Sequence, residues 1–291
     1  MNFNLTRERN NVKNEKLTEE GIVNFIIENI FLPSIESISV TKSLSLILET
    51  DGSNPPKHVQ ISSKYVKAGL KYSIGCLKNR KRRKIKMYSE LLMINIFMSD
   101  YAIAWDLRKD EDLEFNKEAL VVKIVSLVAP KSSELWTYFR FLQSKFRSTE
   151  QTFQLFNLDH YRQIVGSHFS NYYLHNSGLI ENINMSFDEH AEIVKKHVSN
   201  GSVVLRFCKT WCDRNNYECC FDIIKNLIII YDQGLESLWR GVQFLINNCP
   251  TNFDSGVMIT YFLEKILNTS VSNKLQLIHI SRFITSFQNI Y

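Results

Sequence analysis

The sequence predicts an all-α protein of stacked antiparallel helical hairpins, with a small strand region near the N-terminus. Three observations carry that expectation. Helix breakers are scarce: 291 residues hold ten Gly and five Pro, and none of Pro33, Pro55, Pro56, Pro130 and Pro250 interrupts a long periodic segment. From about residue 60 onward, apolar residues recur at helical spacing. An aromatic anchor also returns at intervals averaging about 34 residues, which is room for two three-turn helices and two short loops.

The elements follow in order. Residues 1–18 are rich in Asn, Lys and Glu and read as a disordered tail. Residues 19–291 read as a single helical-repeat domain, with 19–60 forming a helix and strands and 61–291 the hairpins. In EEGIVNFIIENIFL (19–32), Ile22, Phe25, Ile26, Ile30 and Phe31 share one stripe of an amphipathic helix. IESISVTKSLSLILET (35–50) alternates apolar and polar residues and predicts one or two strands. DGSNPPK (51–57) is a turn.

The hairpins are read from a repeat. SDYAIAWDLRK (99–109) opens with two N-cap candidates, Ser99 and Asp100, and places Tyr101, Trp105 and Arg108 at i, i+4 and i+7. PKSSELWTYFRFLQ (130–143) opens with Ser132 and Ser133 and reaches Trp136, followed by Phe139 and Arg140. SNYYLHN (170–176) puts His175 in the tryptophan's place and Gly178 in the arginine's. NGSVVLRF (200–207) puts Val203 there, with Arg206 three residues on; Trp211 with Arg214 is a rival register. GLESLWR (234–240) ends the series at Trp239, with Val242 for the arginine. The intervals are 31, 39, 28 and 36 residues. A lone αα-hairpin cannot bury its apolar face, but stacked neighbours bury it together, and a Trp supplies a large contact area. An Arg three residues after the anchor must reach carbonyls or a carboxylate at a hairpin junction. The same irregular intervals also fit an unrepeated all-α bundle.

Composition excludes several classes. Hydrophobic residues are 44% and charged residues 22% of the chain, a globular balance. The N-terminus has no apolar core of a signal peptide, and the most apolar stretches, IVNFIIENIFL and IIKNLIIIY, are too short to span a bilayer. A cytoplasmic protein with six reduced cysteines is expected. KNRKRRKIK (78–86) holds seven basic residues, and removing them takes the net charge from +5 to −2. The chain is therefore not a globally basic nucleic-acid binder. The run itself reads as a solvated helix end or as a surface for acidic partners or anionic membrane.

The repeated Ser/Asn-Tyr, Trp, Arg pattern of SDYAIAWDLRK and PKSSELWTYFRFLQ resembles the repeat of protein prenyltransferase alpha subunits, approximately N-Y-x-x-W-x-x-R. It looks like a divergent member of that family, and the likeness extends over almost the whole chain. The resemblance implies a right-handed superhelix of helix pairs wrapped around a beta subunit. That implied partner is similar to the beta subunit of Rab geranylgeranyltransferase, and it would carry the zinc, with no cofactor on this chain. Together they would act as a type III-like protein geranylgeranyltransferase. It would transfer the lipid from geranylgeranyl diphosphate to a SNARE or Rab cysteine, with links to Golgi traffic.

The resemblance also names site residues. Lys131, just before the helix that carries Trp136, stands where the family contacts the isoprenoid diphosphate. Tyr172 and Tyr173 stand at its diphosphate edge, Tyr173 where the family often has His. A Lys charge at a helix N-terminus makes an anion site, and a Tyr donates to phosphate oxygen. The competing readings are a solvated loop lysine, and one buried and one exposed tyrosine. Tyr101, Trp105, Arg108, Trp136, Arg140, Arg206 and Trp239 are architectural anchors in this reading. Cys208, Cys212, Cys219 and Cys220 have poor zinc spacing and read as packing thiols. His190 and His197, with Asp188 and Glu189 nearby, read as surface polarity rather than a metal pair. No HExxH, G-x-S-x-G or Gly-rich phosphate loop occurs.

Overall fold

The computed structural model describes residues 18–42, 48–53, 55–79, 88–110, 114–146, 157–167, 171–179, 183, 185–231 and 235–248. Residues 1–17 of the expected tail, 80–86 of the basic run, and the segment from 249 to the end lie outside the described residues. The described residues are mostly helical, with one small three-stranded sheet. The chain divides into two compact units, Met1–Ile164 with Asn176–Ile183, and Val165–His175 with Asn184–Tyr291.

The first unit begins with helix α1 (Glu19–Ile30). Thr18 caps it by accepting from the Gly21 N–H at 3.1 Å, and Glu19 and Glu20 sit favourably at its positive end. Ile22, Ile26 and Ile30 are buried as the stripe requires; Val23 and Ile27 join them, while Phe25 and Phe31 are only half-buried.

Strands β1 (Ser37–Thr41), β2 (Leu48–Thr50) and β3 (His58–Ser62) form a sheet in the order β1-β3-β2. β1 runs parallel to β3, in register from Ser37–His58 to Thr41–Ser62, and β2 runs antiparallel to it. Two strands fall within 35–50 as expected. The third is a correction: the centre of the sheet lies at 58–62, where the sequence reading passes from turn to helix. Val59 and Ile61 alternate correctly, but five residues give too short a period to separate from the helix that follows at Ser63.

Helices α2 (Ser63–Asn79), α3 (Tyr88–Phe97), α4 (Ala102–Lys109), α5 (Phe115–Val128), α6 (Ser133–Lys145) and α7 (Leu158–Ser167) follow. α3 is buried at six consecutive positions, Leu91 to Ile96, because it packs against α1, α2, α4 and α5. Gly69 lets α2 approach it closely: a Cβ there would stand 2.8 Å from Met93 Cε. α3 touches α5 and α4 touches α6, so helices meet their second neighbours as well as their first.

The second unit contains the short helix α8 (Tyr172–His175), then α9 (Phe187–Lys196), α10 (Gly201–Cys212), α11 (Tyr217–Ile230) and α12 (Glu236–Asn247). Ser186 and Glu189 close a capping box at the start of α9, and Asn200 caps α10. α10 is central, packing against α8, α9, α11 and α12. Gly241 makes the α10–α12 approach, since a Cβ there would stand 2.9 Å from Val204 Cγ1. Among the described residues, no helix is long and apolar enough to cross a membrane.

Candidate functional site

The two best repeat copies build the same device. The Trp105 indole Nε1–H donates to the Ser99 carbonyl at 2.6 Å, and the Trp136 indole to the Pro130 carbonyl at 2.6 Å. In each case the acceptor lies six residues upstream, so the anchor ties its helix to the turn that leads into it. The Ser132 hydroxyl caps α6 through the Leu135 N–H and also lies 3.1 Å from the Ser99 carbonyl as donor, linking the two turns. Ser99 and Asp100 are therefore not N-caps. Tyr101 holds that position, half-buried and without a side-chain bond, while the Ser99 carbonyl accepts from Trp105 and Ser132. A related link recurs in the second unit, where the Ser237 hydroxyl donates to the Val198 carbonyl, two residues before the cap of α10.

Arg108 lies in the junction behind Trp105. Only 1% exposed, it donates from Nε to Glu118 Oε2 at 2.6 Å and from Nη2 to Glu118 Oε1 at 2.9 Å. The Tyr138 hydroxyl donates to the same Oε2 at 2.7 Å, and its ring lies 4.9 Å from that of Trp105. The Tyr88 ring stands 4.9 Å from the guanidinium carbon. Burial alone would lower the Arg108 pKa, but the Glu118 charge and hydrogen bonds outweigh it and hold the pKa above its ordinary value. Burial first, and the Glu118 charge second, push the Tyr138 phenol up. The expected carboxylate partner is thus Glu118, which sequence reasoning did not find. Its one signal is a Glu on the apolar helix FNKEALVVKIVSLV, ten residues after Arg108.

The other anchors divide. Trp136, Trp239 and Arg206 are buried, Arg206 among His175 and His190, whose pKa values its charge helps depress. Arg140 is corrected: it is exposed and bonded to Thr137 Oγ1 at 3.1 Å, while Phe139, three residues after Trp136, fills the buried position. The helical period puts i+3 beneath the anchor and turns i+4 to solvent here. His175 is buried in the tryptophan's place, and Gly178 has φ of +83° in the arginine's. Trp211, the rival register, is buried and donates from Nε1 to His190 Nδ1 at 3.0 Å.

Lys131 is exposed in the turn before α6. Its backbone is held on both sides, by the Trp136 bond to Pro130 and by the Ser132 bonds to Ser99 and Leu135. The charge therefore stands on a fixed turn next to the positive end of a 13-residue helix, where an anion would meet both. Tyr172 and Tyr173 are 65% and 42% exposed, with ring centroids 5.8 Å apart at 79°. Both thus face outward, rather than one in and one out. Their turn is set by buried Asn171, whose Oδ1 accepts from the Leu174 N–H at 3.1 Å. Lys131 belongs to the first unit and the tyrosines to the second, so neither unit alone brings them together.

The histidine pair is also corrected: His190 is not surface polarity but is buried against Phe207 and Trp211, because α9 turns this side chain onto α10. Among the described residues, no group of three or more His, Cys, Asp or Glu is placed to hold a metal ion. The buried Ser126 hydroxyl lies 2.9 Å from His160 Nε2 and 2.7 Å from the carbonyl of Lys123 on its own helix. No protein-family model matches the chain, and no curated protein matches it.

Proposed function

We propose that this chain is the alpha-type subunit of a heterodimeric protein prenyltransferase, type III-like in using geranylgeranyl diphosphate. The observation that carries the reading is the duplicated anchor, Trp105 to Ser99 and Trp136 to Pro130, at the openings of two successive helices of the repeat. The contacts of α3 with α5 and of α4 with α6, in which each helix of a pair meets its counterpart in the next, support stacked hairpins within the first unit.

In this reading the partner, a Rab-type beta subunit, supplies the zinc and the isoprenoid pocket. The acceptor thiolate of a SNARE or Rab attacks C1 of the isoprenoid, and diphosphate leaves. Lys131 meets the leaving diphosphate and stabilises its growing charge, assisted by the N-terminus of α6. Tyr172 and Tyr173, exposed on the second unit, carry phenol donors of the kind that phosphate oxygens accept. Trp105, Arg108 and Trp136 only hold the frame.

Co-expression with a Rab-type beta subunit tests this directly. A 1:1 complex that transfers geranylgeranyl to a protein cysteine is expected; absence of any complex rejects both partner and activity. A second reading, a non-enzymatic helical-repeat scaffold in vesicle or Golgi traffic, is favoured by His175 and Gly178 replacing the Trp and Arg of the third copy. A complex without turnover on any cysteine substrate would select it.

A further inference from the structure

We propose that the exposed lysine stripe of α2, formed by Lys64, Lys67, Lys71 and Lys78, docks this chain on an anionic phospholipid surface. The stripe includes no residue assigned above to the diphosphate edge and does not depend on the prenyltransferase reading. α2 reads SKYVKAGLKYSIGCLKN, with four lysines and no acidic residue. At about 100° per residue the four fall within an arc of about 60°, and the first and last stand about 21 Å apart along the axis. All four are exposed, while Val66, Gly69 and Ser73 are buried on the opposite side. Ala68 and Gly75 border the stripe, and a Cβ at Gly75 would meet nothing within 4 Å, so the helix is open there.

These lysines differ from the others in lacking counter-charges. Elsewhere a helical lysine is paired one turn away: Lys109 with Asp106 at 2.8 Å, Lys117 with Glu114 at 2.5 Å, and Lys195 with Glu192 at 2.7 Å. Among the described residues, none of the four on α2 has an ion pair. The acidic residues of the helices packed on α2, Glu19, Glu20 and Glu28 of α1 and Glu90 of α3, form none with them. Like charges three and four residues apart weaken a helix, so the stripe stands against a local penalty. The sequence also segregates its charge. Residues 63–86 hold ten Lys and Arg and no Asp or Glu, and without those ten the net charge of +5 becomes −5. Such an asymmetry turns this side of the chain toward an anionic surface before contact.

The chemistry of the stripe favours a lipid headgroup layer over other anionic partners. A protein interface needs a buried apolar anchor, and among the described residues the exposed large hydrophobics, such as Ile103 and Ile230, lie off α2. Single-stranded nucleic acid needs exposed aromatic platforms for its bases. Tyr65 and Tyr72 are half-buried on the flank of α2, and Lys64 Nζ stands 5.6 Å from the Tyr65 ring centroid. The stripe holds no Arg, whose planar fork would read one phosphate with two bonds; Lys is a mobile point charge. A plane of anionic headgroups meets four such charges on a straight convex helix together, without stacking or apolar contact. Phenols at the flank suit the boundary between headgroups and water.

Co-sedimentation of the full chain with vesicles tests this. The chain should bind phosphatidylcholine vesicles containing about 30% phosphatidylserine and should not bind phosphatidylcholine alone. Salt at about 1 M, where screening acts within about 3 Å, should release it. Each single change, Lys64→Gln, Lys67→Gln, Lys71→Gln or Lys78→Gln, should lower the partition coefficient by up to about fivefold. The four together should lower it by at least about a hundredfold, with an unchanged circular dichroism spectrum. The four corresponding Lys→Arg changes keep the charge and should retain binding. Equal binding to uncharged vesicles overturns the proposal. So does native-level binding by the folded four-Gln variant, which would assign the effect to the basic residues that follow α2 in sequence. If the four-Gln variant unfolds, the single variants decide, and binding unchanged in all of them overturns the proposal. A native chain that binds duplex RNA but not the anionic vesicles overturns it in favour of a nucleic-acid surface.

Discussion

Arg108 is enclosed with two bonds to one carboxylate, and Tyr138 shares that carboxylate. Removing one partner leaves a buried charge uncompensated, so Glu118→Ala should cost about 3–5 kcal/mol in urea denaturation. The double variant Arg108→Met, Glu118→Met removes both charges and should recover most of that loss. An equal loss in the double variant would mean that the ion pair itself stabilises the fold, rather than that a single substitution leaves a charge unpaired. Lys131 is the opposite kind of residue, exposed and outside the core. Lys131→Ala should shift stability by less than about 0.5 kcal/mol. In the proposed heterodimer turnover should fall by at least about tenfold, as expected for loss of a charge proposed to meet the leaving group. A variant that fails to assemble would make Lys131 structural. At this scale the sequence showed which side chains need partners but not which partners they take. Arg108 was legible because a helical period puts it beneath Trp105, whereas Glu118 comes from another helix, and no local spacing encodes that meeting. Arg140 misled because one residue of a helix is about 100° of rotation, enough to exchange Phe139 for it in the core.

At the scale of the element, each anchor closes a turn as well as filling space. Trp136→Phe keeps most of the ring but removes the indole donor to the Pro130 carbonyl, and should cost about 0.5–1.5 kcal/mol. Ser132→Ala loses both the cap of α6 and the bond to Ser99, and should cost about 1–2 kcal/mol. Because both groups hold the turn around Lys131, their double variant should be non-additive in thermal or urea unfolding. Strict additivity would show that the two bonds act independently. The helices were legible because apolar periodicity persists over several turns in each, and capping residues such as Ser132 mark their starts. β3 was not, because a central strand takes its identity from neighbours on both sides, and β1 pairs with it from 21 residues away and β2 from 9 to 13. The cap of α4 was misread by one or two residues: the helix starts at Ala102 with Tyr101 at the cap, after both Ser99 and Asp100.

Across the whole molecule, buried neutral histidines set the response to acid. His160 in the first unit, and His175 and His190 in the second, each have a pKa lowered to about 3. Burial is the main cause in all three, with the Lys123 charge adding to it at His160 and the Arg206 charge at His175. At His190 the charges of His175, Arg206 and Arg214 contribute as well. The bonding agrees: Trp211 donates to His190 Nδ1, so protonating that nitrogen must break the bond. Once unfolded, each side chain titrates near its ordinary value of about 6.5. Between about 6.5 and about 3 the unfolded chain therefore binds more protons than the folded one, and stability rises with pH over that window. The histidine contribution is complete above about 6.5 and is lost progressively as pH falls toward 3. His160→Gln should make the dependence shallower by one proton, about 1.4 kcal/mol per pH unit in the middle of the window. The second unit carries two of the three groups, so hydrogen exchange between pH 7 and pH 5, corrected for intrinsic rates, should show α9 and α10 losing protection before α5 and α6. Equal loss in both units, or none, would mean that these histidines are not held neutral by the fold.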